Sequence, residues 1–332
     1  MNLEELLKKI KDIGVRHDVS HLLLIGSAAR NEHTILSVNG SENWLSDLEF
    51  FVIMNRSRDG LDFQNSIDKL CSNLDIGNNF SIDLSFISQR QARNFGCRFL
   101  SYEAKMTGVD IIGCMSRLLP NYSVWDIDRF DLNMTIIWRL YKIGKLLAEN
   151  SFPTSSVNNT YILARNLLDV LSIELYSQGV VACSYSERIE YCISHESTFK
   201  HLDLKVYEAA TKYKLRPNFK FELTPDYVVK EFLQLYKRLS KIQNSKNIFE
   251  PNIFMRLLRR FYSSLLNGNF SYDKFRAAYD GANQGLLKFF GVFESYLESG
   301  VFLVGDFYSS LIVLADNFDF IASDLDDSIY KS

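Results

Sequence analysis

Asp47 and Glu49 stand two apart in Ser46-Asp47-Leu48-Glu49-Phe50-Phe51-Val52-Ile53, and Asp83 stands alone in Ser81-Ile82-Asp83-Leu84-Ser85-Phe86-Ile87. Both runs are otherwise almost wholly apolar and read as strands covered by helices. Strand side chains alternate faces, so Asp47 and Glu49 project from one side. With Asp83 on a neighbouring strand, three anions would converge at one sheet edge. Like charges in a confined site repel and raise each other's pKa, and a divalent cation is the simplest relief. Hard oxygen ligands suit Mg²⁺, with Mn²⁺ as a substitute. That chemistry is phosphoryl or nucleotidyl transfer. The plain alternatives are a solvated strand face for the Asp-x-Glu pair and a turn cap for Asp83. A half-exposed strand should alternate polar and apolar, which Phe50-Phe51-Val52-Ile53 does not.

Upstream, Leu22-Leu23-Leu24-Ile25-Gly26-Ser27-Ala28-Ala29-Arg30 reads as an apolar strand, a tight turn and a helix opening at Ser27. The order of Gly26-Ser27, Arg30, Asp47, Glu49 and Asp83 resembles the nucleotidyltransferase superfamily that includes DNA polymerase β and the aminoglycoside nucleotidyltransferases. The resemblance spans about residues 20 to 115 and is specific to the superfamily rather than to a substrate. The stretch between Ser27 and Asp47 is longer than in small members of that family. The residues around Thr34 to Asn43 are expected to form a loop beside the site. No glycine-rich P-loop is present, so phosphates would be held by the Gly-Ser turn and by basic side chains.

The resemblance implies a role for each of these residues. Gly26 and Ser27 would meet the triphosphate of an NTP co-substrate at a helix N-terminus, where the dipole favours negative charge. Arg30 would reach a phosphate or sit in a surface salt bridge. Asp47, Glu49 and Asp83 would be the metal ligands and catalytic carboxylates, with Asp83 also taking the acceptor's proton. Lys105, in Tyr102-Glu103-x-Lys105, would be a further phosphate contact. Arg165 and Arg188 match recurrent positions in the helical domains of similar proteins, and either would close over the nucleotide or pair between helices, with Arg188 taken as the nucleotide contact. The reaction implied moves an NMP to a hydroxyl or phosphate of a small molecule such as a sugar, sugar phosphate or aminoglycoside-like compound. A protein or tRNA acceptor, or a silent nucleotide-binding module, are the alternatives.

The chain has 332 residues, 47% hydrophobic and 23% charged, enough for a sizeable core. A net charge of −3 argues against a broad nucleic-acid surface. Five cysteines form no C-x-x-C pair, so buried thiols in a reducing cytosol are expected. The histidines are scattered, and no zinc site is expected. The amphipathic start is unlike a signal peptide. The most apolar stretch, over 302–322, is broken by Asp306, Asp316 and Asp319, so no membrane span is expected and a cytoplasmic location is. The fold class expected is α+β, with a small mixed-sheet nucleotidyltransferase domain over 1–120 and an all-α helical bundle over 121–332. Strands are placed at 22–26, 48–54, 80–87 and 109–113. Candidate helices lie at 3–14, 61–74, 89–106, 129–149, 158–178, 184–194, 203–214, 225–242, 250–266, 272–297 and 302–323. Ser184 with Glu187 reads as a capping box, Gly179 as a C-cap, and Thr224-Pro225 as a helix start.

Overall fold

A computed structural model of the chain describes residues 2–38, 41–56, 59–74, 80–127, 129–148, 157–242 and 272–315. The candidate helix at 250–266 lies outside them, as does the end of the one at 302–323.

Leu22, Leu23, Leu24 and Ile25 are all buried because β1 (Val19–Ile25) runs through the middle of a sheet covered on both faces. It pairs antiparallel with β4 (Leu48–Met54) and with β6 (Val109–Ile112), while β4 pairs parallel with β5 (Ile82–Phe86). The strand order is therefore β5-β4-β1-β6, a mixed four-stranded sheet. On one face Leu22, Leu24, Leu48, Phe50 and Val52 pack with Leu6, Ile10 and Ile13 of α1 (Leu3–Arg16) and Phe63 and Ile67 of α3 (Gly60–Ser72). The opposite face carries Leu23, Ile25, Phe51 and Ile53. They meet Ala92 of α4 (Gln89–Arg93), Ala104 of α5 (Phe99–Thr107) and Met115 of α6 (Met115–Leu118).

Three local expectations need correction. The helical run expected over 89–106 is two helices, α4 and α5, interrupted at 94–98 where the Ser101 hydroxyl accepts from the Arg98 N–H and starts the second. The helix opening at Ser27 is one turn only, α2 (Gly26–Ala29), closed by Arg30 and Glu32 N–H groups donating to the Ser27 carbonyl. The expected loop between Ser27 and Asp47 contains an antiparallel hairpin, β2 (Ile35–Val38) with β3 (Ser41–Trp44). Its signal was present in Asn39-Gly40, the dipeptide most favoured in two-residue hairpin turns.

Beyond residue 127 the described chain is helical: α7 (Arg129–Ala148), α8 (Val157–Ser177), α9 (Tyr185–Ser194), α10 (Leu204–Leu215), α11 (Pro225–Ile242), α12 (Tyr272–Ser299) and α13 (Val304–Ala315). The Ser184 capping box forms, with reciprocal bonds between Ser184 and Glu187. Gly179 turns the chain after α8 at φ +76°, and α11 begins on Pro225 with the Thr224 hydroxyl accepting from Tyr227 N–H. The architecture is α+β with a helical C-terminal region.

The chain forms two compact units whose boundaries differ from a cut near residue 120. One unit takes in Met1–Leu132 and Ser155–Leu223, the other Asn133–Thr154 and Thr224–Ser332. Helices α8 to α10 thus belong with the sheet, and buried polar contacts described below hold them there. The second unit has its own aromatic core, in which Phe289, Phe293, Phe302 and Phe307 pack on one another. The thiols are only partly as expected. Cys192 is buried and its pKa is pushed up by burial to about 12, Cys114 is exposed, and Cys71, Cys97 and Cys183 lie between.

Candidate functional site

Leu48 and Phe50 point into one core, so by alternation Glu49 lies on the opposite face, in line with Phe51. Parallel pairing of β4 with β5 sets Glu49 directly opposite Asp83. Asp47 immediately precedes β4, where the Leu48 N–H donates to the Ser81 carbonyl. Burial pushes the Asp47 carboxyl above its ordinary pKa, and the nearby Asp83 charge adds to this. Arg165 and hydrogen bonds from Ser81 work the other way. Asp83 is exposed and accepts from the Ser81 hydroxyl at 3.0 Å.

Gly26 enters the same site from β1. It has φ +72°, and a Cβ there would collide with Oε2 of Glu49. The backbone is what calls for glycine, since L side chains avoid this region, while the carboxylate is the far end of a flexible side chain and can yield. Ser27 follows within the single turn of α2.

Arg165 of α8 reaches both carboxylates. Its guanidinium nitrogens lie 3.9 Å from Asp47 Oδ2 and 3.8 Å from Glu49 Oε1, with all three side chains about one-third exposed. These separations exceed hydrogen-bond range. Partly exposed pairs of this kind contribute about 1 kcal/mol or less, so the guanidinium can be displaced by a better ligand.

The other basic candidates have different partners. Arg30 is 5% exposed and pairs with Glu32 at 2.9 Å and with Glu103 at 3.1 Å, so it is neither a surface salt bridge nor directed at the carboxylates. Arg188 is buried against the same Glu103 and donates to the Ser172 hydroxyl, the Tyr176 hydroxyl and the Ala182 carbonyl. Burial alone would raise the Glu103 carboxyl, but Arg188 and Arg30 outweigh it and hold its pKa below the usual range. Lys105 donates to the Ser116 and Leu119 carbonyls at 2.8 and 3.0 Å and braces the end of α6. In the Tyr102-Glu103-x-Lys105 run, Glu103 is thus the residue tied to the helices. The Tyr185 backbone N–H, which opens α9, donates to Glu32 at 2.6 Å.

The structure therefore sets Gly26 against Glu49, Arg165 beside Asp47 and Glu49, and Asp83 across from Glu49 on the neighbouring strand, and gives Arg30, Lys105 and Arg188 other partners. Sequence reasoning passed over Glu32, Glu103, Tyr185 and Lys214, whose partners lie far off in sequence. Glu103 and Tyr185 stood in runs already singled out, beside Lys105 and within the Ser184–Arg188 stretch.

Oxygen donors of the right kind for Mg²⁺ or Mn²⁺ are present, and a cation would reverse the penalty that burial and Asp83 place on the Asp47 charge. Among the described residues, however, no three carboxylate, histidine or cysteine side chains are already gathered as a metal-holding group. His17 and His21 are four apart, but the first follows α1 while the second lies within β1. Their rings meet Ser66 and Ser20 respectively.

No protein-family model matches the sequence, and no curated protein matches it significantly. No helix among the described residues is long and apolar enough to cross a membrane.

Proposed function

We propose that the chain is a metal-dependent nucleotidyltransferase that moves an NMP from an NTP to a hydroxyl or phosphate of a small molecule and releases pyrophosphate. The observation that supports it best is the parallel register placing Glu49 opposite Asp83, with Asp47 two residues before Glu49 and Gly26 against the Glu49 carboxylate. Asp47, Glu49 and Asp83 would hold Mg²⁺ or Mn²⁺, which supplies charge stabilisation at the transferred phosphoryl group. The Gly26-Ser27 turn offers backbone N–H groups and a hydroxyl to the triphosphate. Arg165 turns from the carboxylates toward a phosphate, for which its planar fork of donors is suited. Asp83, the most open of the three carboxylates, accepts the proton as the acceptor oxygen bonds to the α-phosphorus and the bond to pyrophosphate breaks. The acidic balance of the chain favours a sugar, sugar phosphate or aminoglycoside-like acceptor over a polyanion. Arg165 resting on both Asp47 and Glu49 favours one other reading, a nucleotide-binding module without turnover.

Pyrophosphate release from each NTP, assayed against a panel of such acceptors, separates the two readings. Asp83→Asn is expected to leave NTP affinity within a few-fold and to lower turnover by about 10²-fold or more, the usual size of a lost general base. Tight NTP binding by wild type with no pyrophosphate from any acceptor would favour the binding module.

A further inference from the structure

Lys214 of α10 is 1% exposed and sits beside the segment that joins the Gly26-Ser27 turn to Asp47. Its ammonium donates to the Glu32 carbonyl at 2.7 Å, the Thr34 hydroxyl at 3.1 Å and the Ser46 hydroxyl at 3.3 Å. An ammonium has three N–H donors, and all three have an acceptor here. The acceptors are held to each other as well. Thr34 N–H donates to the Ser46 hydroxyl at 2.9 Å, and that hydroxyl shares a hydrogen bond with Tyr161 OH at 3.0 Å. Tyr161 precedes Arg165 by four residues on α8, one helical turn along the same face. Ser46 is thus fixed by Lys214 and Tyr161, and the next residue, Asp47, is faced by Arg165.

A buried ammonium is an expensive way to fill space. The acceptors that touch it are neutral oxygens, with the Tyr161 and Tyr185 rings 5.7 and 5.5 Å away. Among the charged groups around it, Arg165 and Arg30 oppose its charge, while Glu32 and Asp169 favour it; His33 is a further titratable neighbour. Burial is the largest effect, and it pushes the Lys214 pKa down to about 7. Methionine would fill the volume without that penalty. The lysine therefore has to be explained by its donors.

We infer that Lys214 is a positioning residue for the carboxylate site, clasping Glu32, Thr34 and Ser46 so that Asp47 is presented beside Glu49. The inference rests on the metal-carboxylate reading above, and its test has one measurement that does not. Manganese binding by electron paramagnetic resonance, with Mn²⁺ alone, and hydrogen–deuterium exchange are measured on wild type, Lys214→Met and Lys214→Gln. Lys214→Met is expected to bind Mn²⁺ at least tenfold more weakly and to lose exchange protection selectively between Glu32 and Asp47. Lys214→Gln keeps two donors and should recover part of both losses. A side chain that only packs would give the reverse order, with Met closer to wild type than Gln, and that order overturns the inference. If Lys214→Met does not fold, Ser46→Ala removes the other end of the clasp and is read in the same way. Wild-type manganese affinity and exchange in that variant would also overturn the inference. If wild type binds no Mn²⁺, the metal reading fails separately, and Lys214 is judged on exchange alone. Unchanged protection in Lys214→Met then counts against it, and a loss confined to Glu32–Asp47 supports it.

Discussion

Gly26 turns the chain out of β1 with φ +72°, and its α-carbon lies where any Cβ would strike the Glu49 carboxylate. Gly26→Ala should cost about 1–2 kcal/mol through the left-handed backbone alone. The Glu49 carboxylate is the flexible partner in the collision and should yield to the methyl group. Nucleotide affinity measured by calorimetry should therefore fall further than denaturant stability. Equal NTP affinity in the variant would show that the triphosphate lies elsewhere. At this scale the acidic residues were legible, because strand alternation and an apolar surround are properties of a few consecutive residues. The basic residues were not. Arg30 and Lys105 looked like phosphate contacts, yet their partners Glu103, Ser116 and Leu119 are supplied by tertiary packing. In sequence the nucleotide contact reads as Arg188, whereas the fold directs Arg165 to the carboxylates and Arg188 to Glu103.

The elements carrying these residues are joined by Glu103 of α5, which takes Arg30 from the end of α2 and Arg188 and Tyr176 from α9 and α8. Glu103→Gln would leave the buried Arg188 guanidinium without its carboxylate and Arg30 with Glu32 alone. The expected loss is about 3–5 kcal/mol, the usual result of removing one partner of a buried pair. Because the folded pKa of Glu103 is lowered, its contribution is present above the unfolded carboxylate pKa and is lost as pH falls through the folded one. Urea unfolding should thus separate variant from wild type widely at pH 7 and progressively less in acid. A difference that does not shrink in acid would mean that packing, and not charge, accounts for it. Most helix positions and the sheet's strands were readable from periodicity, and the caps at Ser184 and Thr224 from residue type, but the break between α4 and α5 and the short α6 were not. The β2–β3 hairpin was missed although Asn39-Gly40 announces it, since the run was judged by its length rather than by its turn. The extent of α2 depended on the carbonyl of Ser27 being claimed by Glu32 N–H, a contact that no residue pattern displays.

Across the whole molecule, the residues proposed to act, Gly26, Ser27, Asp47, Glu49, Asp83, Arg165 and Lys214, fall within one compact unit, Met1–Leu132 with Ser155–Leu223. A cut near residue 120 follows the change from mixed to helical texture, which is what a linear sequence displays. The association of α8, α9 and α10 with the sheet follows from buried ion pairs and hydrogen bonds spanning large sequence separations, which it does not. The central claim is that Asp47 and Glu49 bind a nucleotide through a divalent cation. Its most direct test is isothermal titration of each NTP, with and without Mg²⁺, into wild type and Asp47→Asn. Burial and Asp83 hold the Asp47 pKa above its ordinary value, so at neutral pH its charge is a cost to the fold. The variant should therefore keep or gain thermal stability. Wild type should bind at least one NTP in a Mg²⁺-dependent manner, and a folded Asp47→Asn protein should lose that dependence. Equal, Mg²⁺-dependent binding by both proteins would contradict the account.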